Sequence, residues 1–493
     1  MVDLKTKDDA PTPRLTNSGE IQYQLFVTLW VMAFTFHYFE RDPSDAWPVI
    51  LAGIPCLIFA NSFAALAAFV VVSTGVVIHH LPAASNHFML AILVNLALAG
   101  AAAVVLVSLR TSKTDTQETR DRWLQLVLTP VGLTLSIVYF FTVFHKLNTS
   151  FFTPEVSCAG SLLRQAFTHQ GINPGEIPDR VIFLSALFTL VWEGLLFICI
   201  AVPRLRRWGI LAGVPFHLLL VWAEFYDFAT FVFAVYMLLL PTESFGRIRN
   251  FEAWRRLAIT GWIIHAGVSF AAFASESVES PIGLRWRTIQ VLVWFITVMP
   301  LVIPVLKVNF FGDKPIAPLR WRLRPAWLLV VPLLAFLNGA TAYLGLKTVS
   351  NYSMFSNLRT EEGRTNHLIP GVSALEMTGI LRDTVELHEL DFPTLGRFEK
   401  TGTRPYWLQR QISWSRRNTT MRLPWLELQR AANLWKSAGL DNVYVRFTHN
   451  GVRRELVDGA ADPELAAPLP MLTRLLQAFR EIEPGDGPVR CRW

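Results

Sequence analysis

The chain has 493 residues, of which 52% are hydrophobic, 12% aromatic and 17% charged, and its mean hydropathy is +0.35. That balance excludes an ordinary soluble protein, and the length excludes one compact domain. The net charge of +7 does not point to nucleic acid, because the basic residues fall mostly in short loops between apolar runs and in the tail, where they act as topology signals.

Residues 1–20 are polar, with Lys5, Lys7, Asp8 and Asp9, and read as a disordered cytoplasmic lead rather than a signal peptide. Apolar runs of membrane length then follow near 21–39, 47–78, 88–109, 123–145, 181–202, 208–241, 257–275, 288–306 and 326–346. Two are too long for one pass. The first is broken by Pro55 and Asn61-Ser62 and the second by Glu224-Phe225-Tyr226-Asp227, so each is expected to fold as two shorter helices or a re-entrant pair.

The expected fold is an all-α polytopic membrane bundle of about 9 to 11 transmembrane helices over 21–346, followed by a small α+β soluble domain over 347–493. With about eleven passes the basic loops at 110–122, 203–207, 243–256 and 307–325 share the cytoplasmic side. The N-terminus is then cytoplasmic, while the 146–180 loop and the tail are not. In that loop SLLRQAFTHQGI has the amphipathic look of a surface lid, or of an ordinary interfacial connector. In the tail VELHEL (385–390) and VYVRFTH (443–449) read as strands and WLELQRAANLW (425–435) as an amphipathic helix. The polar stretch 350–367 suits either a loop packed on the outer mouth of the bundle or a plain linker.

Cys56, Cys158, Cys199 and Cys491 show neither metal-ligand spacing nor a CxxC, so no metal and no thiol redox centre are expected. Cys158 and Cys491 alone fall on the non-cytoplasmic side and are the pair that could bridge.

Ionisable groups at membrane depth are costly and usually face the bundle interior. His87, Lys146, Glu193 and His217 qualify, and for each singly an anchoring or structural role competes with a chemical one. Three segments carrying them share an order and spacing: SNHFMLAIL (85–93), VYFFTVFHKLN (138–148), and WEGLLF (192–197) followed by VPFHLLL (214–220) with Arg206 between. They resemble the membrane domain of the vitamin K-dependent gamma-carboxylase family, also called the HTTM family, over roughly residues 20 to 245.

The resemblance implies an enzyme at the non-cytoplasmic face, with Lys146 as the base that deprotonates reduced vitamin K or another quinol and His87 as its assistant. It also implies O2 and CO2 as reactants, a lipid-soluble small molecule in the bilayer as partner, and a protein or peptide as the acceptor. Lys146 and His87 are expected at one cavity roofed by the 146–180 loop or the 350–367 segment, and Glu193 and His217 as internal supports, paired with each other or through Arg206. Two other readings stay open, a transporter with a path through Glu193, His217, Glu224 and Asp227, and a non-catalytic membrane scaffold.

Overall fold

The first apolar run forms α1 (Ser18–Arg41), and from Tyr23 to Phe39 this helix is buried on every side. A helix that is apolar all round needs neighbours all round. In the computed structural model, which describes residues 18–41, 43–82, 84–109, 116–274, 281–311, 319–322, 324–372, 375–391, 420–483, 485 and 487–491, α1 is the pillar of the bundle. Its few polar groups are matched from other helices. Gln22 Nε2 donates to the carbonyls of Met237 and Leu240 at 2.8 and 3.0 Å, and Trp30 Nε1 donates to Asn95 Oδ1 at 3.0 Å.

Around it stand α2 (Pro43–Ile58), α3 (Phe63–His79), α4 (Asn86–Leu109), α5 (Thr116–Lys146), α6 (Cys158–Thr168), α7 (Asp179–Ala201), α8 (Arg206–Trp222), α9 (Tyr226–Leu239), α10 (Thr242–Phe245), α11 (Phe251–Ala274), α12 (Pro281–Phe311) and α13 (Val330–Ala340). Both over-long runs are divided where the sequence turns polar. The α2–α3 break ends at Ser62, whose side chain accepts from Ala65 N, and the α8–α9 break passes through Glu224 at φ 71. Among the described residues, four helices are long and apolar enough to cross a membrane, lying within α4, α5, α7 and α12. The α7 surface carries the signature of lipid contact: Phe183, Leu184, Leu187, Val191, Leu195 and Ile198 are all exposed and all apolar. The expected lead over 1–17 and the start of the 110–122 loop lie outside the described residues.

The tail contains a four-stranded antiparallel sheet in the order β2-β1-β3-β4, from β1 (Thr384–Asp391), β2 (Met421–Pro424), β3 (Tyr444–His449) and β4 (Val452–Leu456). Val385 and Leu387 alternate inward, and a register shift between Leu387 and Glu389 then returns Leu390 to the same side. Helix α14 (Trp425–Ser437) lays Leu428, Ala431, Ala432 and Trp435 on that face. A short helix, α15 (Met471–Leu476), precedes the segment that runs back to the bundle.

Asn95 joins α4 to two other helices, since its Nδ2 also donates to Ser73 Oγ at 3.1 Å and Thr74 Oγ1 at 2.9 Å. Asn95→Leu strands the buried Trp30 N–H and should cost about 1–2 kcal/mol. A lower thermal midpoint of the detergent-solubilised bundle is the expected result; an unchanged midpoint would show that the bond carries no stability.

Candidate functional site

Helix α5 ends on Lys146, and its ammonium turns inward rather than toward a headgroup layer. It donates to both carboxylate oxygens of Glu193, halfway along α7, at 3.0 and 2.7 Å. Both side chains are almost fully buried, with 4% and 11% exposure. A cation at a helix C-terminus is also favoured by the backbone dipoles. The turn after Lys146 is held by Asn148, whose Nδ2 donates to His145 O at 2.8 Å and to Ser356 O, and whose Oδ1 accepts from Phe151 N at 2.9 Å.

The ion pair lines a cavity of about 350 Å3. Its walls are mainly apolar, from α5, α7, α8 and Phe228 at the start of α9. His217 lies in the wall as well, but its partner is not Glu193. Its Nδ1 donates to Gly213 O at 2.7 Å, which leaves Nε2 to accept from Tyr139 Oη at 3.2 Å; Tyr139 in turn accepts from Tyr236 Oη at 3.0 Å. Gly213 is required here because a β-carbon would strike the Tyr236 hydroxyl. Trp192 Nε1 donates to Ala212 O at 3.1 Å, which fixes α7 against α8 beside both groups.

The roof has two parts. The expected lid is helix α6, contributing Leu162, Leu163, Ala166 and Phe167, and the 350–367 segment contributes Met354 and Phe355. That segment is no plain linker. Ser350, Tyr352, Phe355 and Asn357 all hold positive φ, between 51° and 67°, a strained state that a dense bonding network must enforce. Asn357 supplies much of it, accepting from Cys158 N at 2.7 Å and donating to Val156 O and Val489 O at 2.9 and 2.8 Å. Cys158 at the start of the lid is disulfide-bonded to Cys491 at the end of the tail. At the other end of the lid His169 meets Glu224 at 2.8 Å, and Glu224 also meets Arg287 at 3.3 Å. Next to the strap, burial pushes the Lys347 ammonium down to about 8.

Two expected pairings are corrected. His87 does not line this cavity with Lys146; its Nε2 lies 3.0 Å from His37 Nδ1 and 3.1 Å from Asp227 Oδ2. The reason is rotational: at the first turn of α4 the His87 side chain is directed toward α1 and α9, whereas Lys146 is directed toward α7. Arg206 is not a shared partner for Glu193 and His217 either, since it donates to the carbonyls of Ile200 and Leu319 and stacks 3.8 Å over the Trp321 ring. Tyr139, Thr142 and Tyr236 are site residues that sequence reasoning missed. Only the spacing Tyr139-Thr142-Lys146, one face of α5, signals the first two.

No family model, curated protein or solved structure matches this chain.

The pair is expected to behave as a unit. Glu193→Gln leaves a buried ammonium without its counter-charge and should destabilise the bundle by roughly 3 kcal/mol, whereas Lys146→Met with Glu193→Gln should recover most of that loss. Thermal midpoints of the wild type, both single variants and the double in one detergent test this, and additive losses would mean that the two groups are not coupled.

Proposed function

We propose that this is an integral membrane enzyme of the vitamin K-dependent gamma-carboxylase-like kind, acting on a quinol or another amphipathic hydroxyl compound at Lys146. The observation that carries the reading is an apolar cavity lined by a buried Lys–Glu ion pair. Such a cavity takes a hydrophobic body and presents polar chemistry to one end of it.

A substrate hydroxyl at that end meets an ammonium and a carboxylate together. The proton passes to the pair, with Glu193 as the immediate acceptor where Lys146 is charged, and the ammonium stays beside the new oxyanion. Lys146 and Glu193 are thus one base. Tyr139 and His217, held from behind by Tyr236, are the wall that orients the ring, and Thr142 a further polar contact. The quinol would supply the reducing power, with O2 and CO2 as further reactants and a protein or peptide as acceptor.

A transport path is the weaker alternative, because its three carboxylates are engaged in three different places: Glu193 with Lys146, Glu224 with His169 and Arg287, and Asp227 with two histidines. His217 is held by Gly213 and Tyr139. A scaffold reading leaves the cavity without a role.

Quinol-dependent oxygen uptake by the purified protein is the direct test. Lys146→Ala should lower uptake per folded molecule by about 100-fold or more, together with a lower thermal midpoint from the stranded Glu193 carboxylate, and Lys146→Arg should restore it poorly, because a planar guanidinium keeps the counter-charge but not the single-nitrogen geometry of the pair. Absence of any quinol-dependent uptake by the wild type would reject the enzyme reading in this form.

We further propose about eleven passes with the four basic loops in the cytoplasm and the tail outside. The Cys158–Cys491 bridge supports this side assignment, since disulfides persist in oxidising compartments. Cysteines placed singly in the 110–122 loop and at Asn450 should label from opposite sides of sealed vesicles; labelling from one side would overturn the arrangement.

A further inference from the structure

We propose that His37, His87 and Asp227 form a binding site for one divalent transition-metal ion. The three residues come from α1, α4 and α9, and each turns one donor atom to a common point. His37 Nδ1 lies 2.6 Å from Asp227 Oδ2, His87 Nε2 lies 3.1 Å from the same oxygen, and the two nitrogens are 3.0 Å apart. An ion about 2.1 Å from each corner of such a triangle sits roughly 1.2 Å out of its plane. This is a facial arrangement, with the remaining positions open on one side. Two imidazole nitrogens and one carboxylate oxygen suit zinc or ferrous iron, whereas calcium and magnesium prefer all-oxygen shells.

The surroundings fit a ligand set. All three residues are buried, with 4%, 4% and 2% exposure, so the carboxylate needs a cation beside it. The second oxygen, Asp227 Oδ1, accepts from Phe228 N at 2.6 Å, which aims Oδ2 at the histidines. His87 Nδ1 has no hydrogen-bond partner among the described residues, and the ring's contacts with Ser85, His37 and Asp227 are all made through Nε2. Ser85 Oγ lies 2.9 Å from that nitrogen, within reach of a water completing the shell. The expectation of no metal looked for ligands at short spacing in the sequence, and three helices supply these. A purely protonic triad, in which the histidines hold the aspartate by hydrogen bonds alone, is the competing arrangement.

Elemental analysis of the untagged full-length protein in mild detergent, as purified and after separate anaerobic exposure to Zn2+ and Fe2+ followed by desalting, distinguishes them. The expected content is about one ion per chain, falling at least tenfold in His37→Gln, His87→Gln and Asp227→Asn and unchanged in Lys146→Ala. Cobalt-loaded wild type should show visible ligand-field bands that His87→Gln abolishes, and this readout with the wild-type content decides the matter if Asp227→Asn fails to fold. Less than about a tenth of an ion per wild-type chain under every condition, or a content that all three variants retain, overturns the proposal. The outcome is independent of quinol-dependent oxygen uptake, so either reading can fail alone.

Discussion

A buried ammonium and a buried carboxylate must find each other, and much of the molecule can be understood from the Lys146–Glu193 pair that results. Either charge alone in an apolar interior would cost several kcal/mol, so the C-terminal end of α5 and the middle of α7 are obliged to meet. Once they do, the space beside them cannot be filled by the helices themselves, because α7 turns most of its apolar surface outward. The cavity is the consequence. The polar groups of its wall are satisfied in one chain through Tyr236, Tyr139, His217 and the Gly213 carbonyl, which leaves the ion pair as the charged feature of its lining.

The roof shows what closing such a cavity demands. An amphipathic helix lying across the mouth has only one buried face and would slide, so α6 is fixed at both ends. Cys158 ties its start to the tail, and His169 ties its end to Glu224 at the α8–α9 break. The strap over 350–367 is held in an unfavourable backbone state by bonds from three directions: the turn after Lys146, the lid, and the returning tail at Val489. Tyr352 N also donates to Asn86 Oδ1 at 2.6 Å, so the same strap is tied to the first residue of α4, immediately before His87. The tail is therefore part of the site's architecture, although none of its sheet residues lines the cavity.

Several features of the fold were legible in the sequence because they obey local rules. Asn61-Ser62 and Glu224-Phe225 fall in breaks between helices and divide runs too long for one pass, whereas Pro55 lies inside α2 and Tyr226-Asp227 open α9. The strands and helix of the tail fall where period-2 and period-3.6 patterns place them, and Lys146, Glu193 and His217 all line one cavity. What sequence could not give is azimuth. His87 and Lys146 each belong to a bundle helix, but which way a side chain turns depends on helices that a single sequence does not position. Adjacent spans facing the bundle interior suggest His217 as the partner of Glu193, whereas the charge on Lys146 is the stronger partner. Helix α1 reads like any membrane run; its lack of a lipid-facing side appears only once its neighbours surround it.

Phe228 connects the two polar centres that the sequence reading had merged. Its ring borders the cavity, 5.5 Å from His217 between centroids, and its other neighbour is His87 at 6.0 Å. Its backbone N–H is held by Asp227, the carboxylate of the histidine cluster. The cluster thus sets the position of a cavity wall through a single peptide step, without any of its own donor atoms entering the cavity. A change in what Asp227 holds would be felt in the cavity as a shift of the Phe228 ring, so His87 can act on the cavity from outside it.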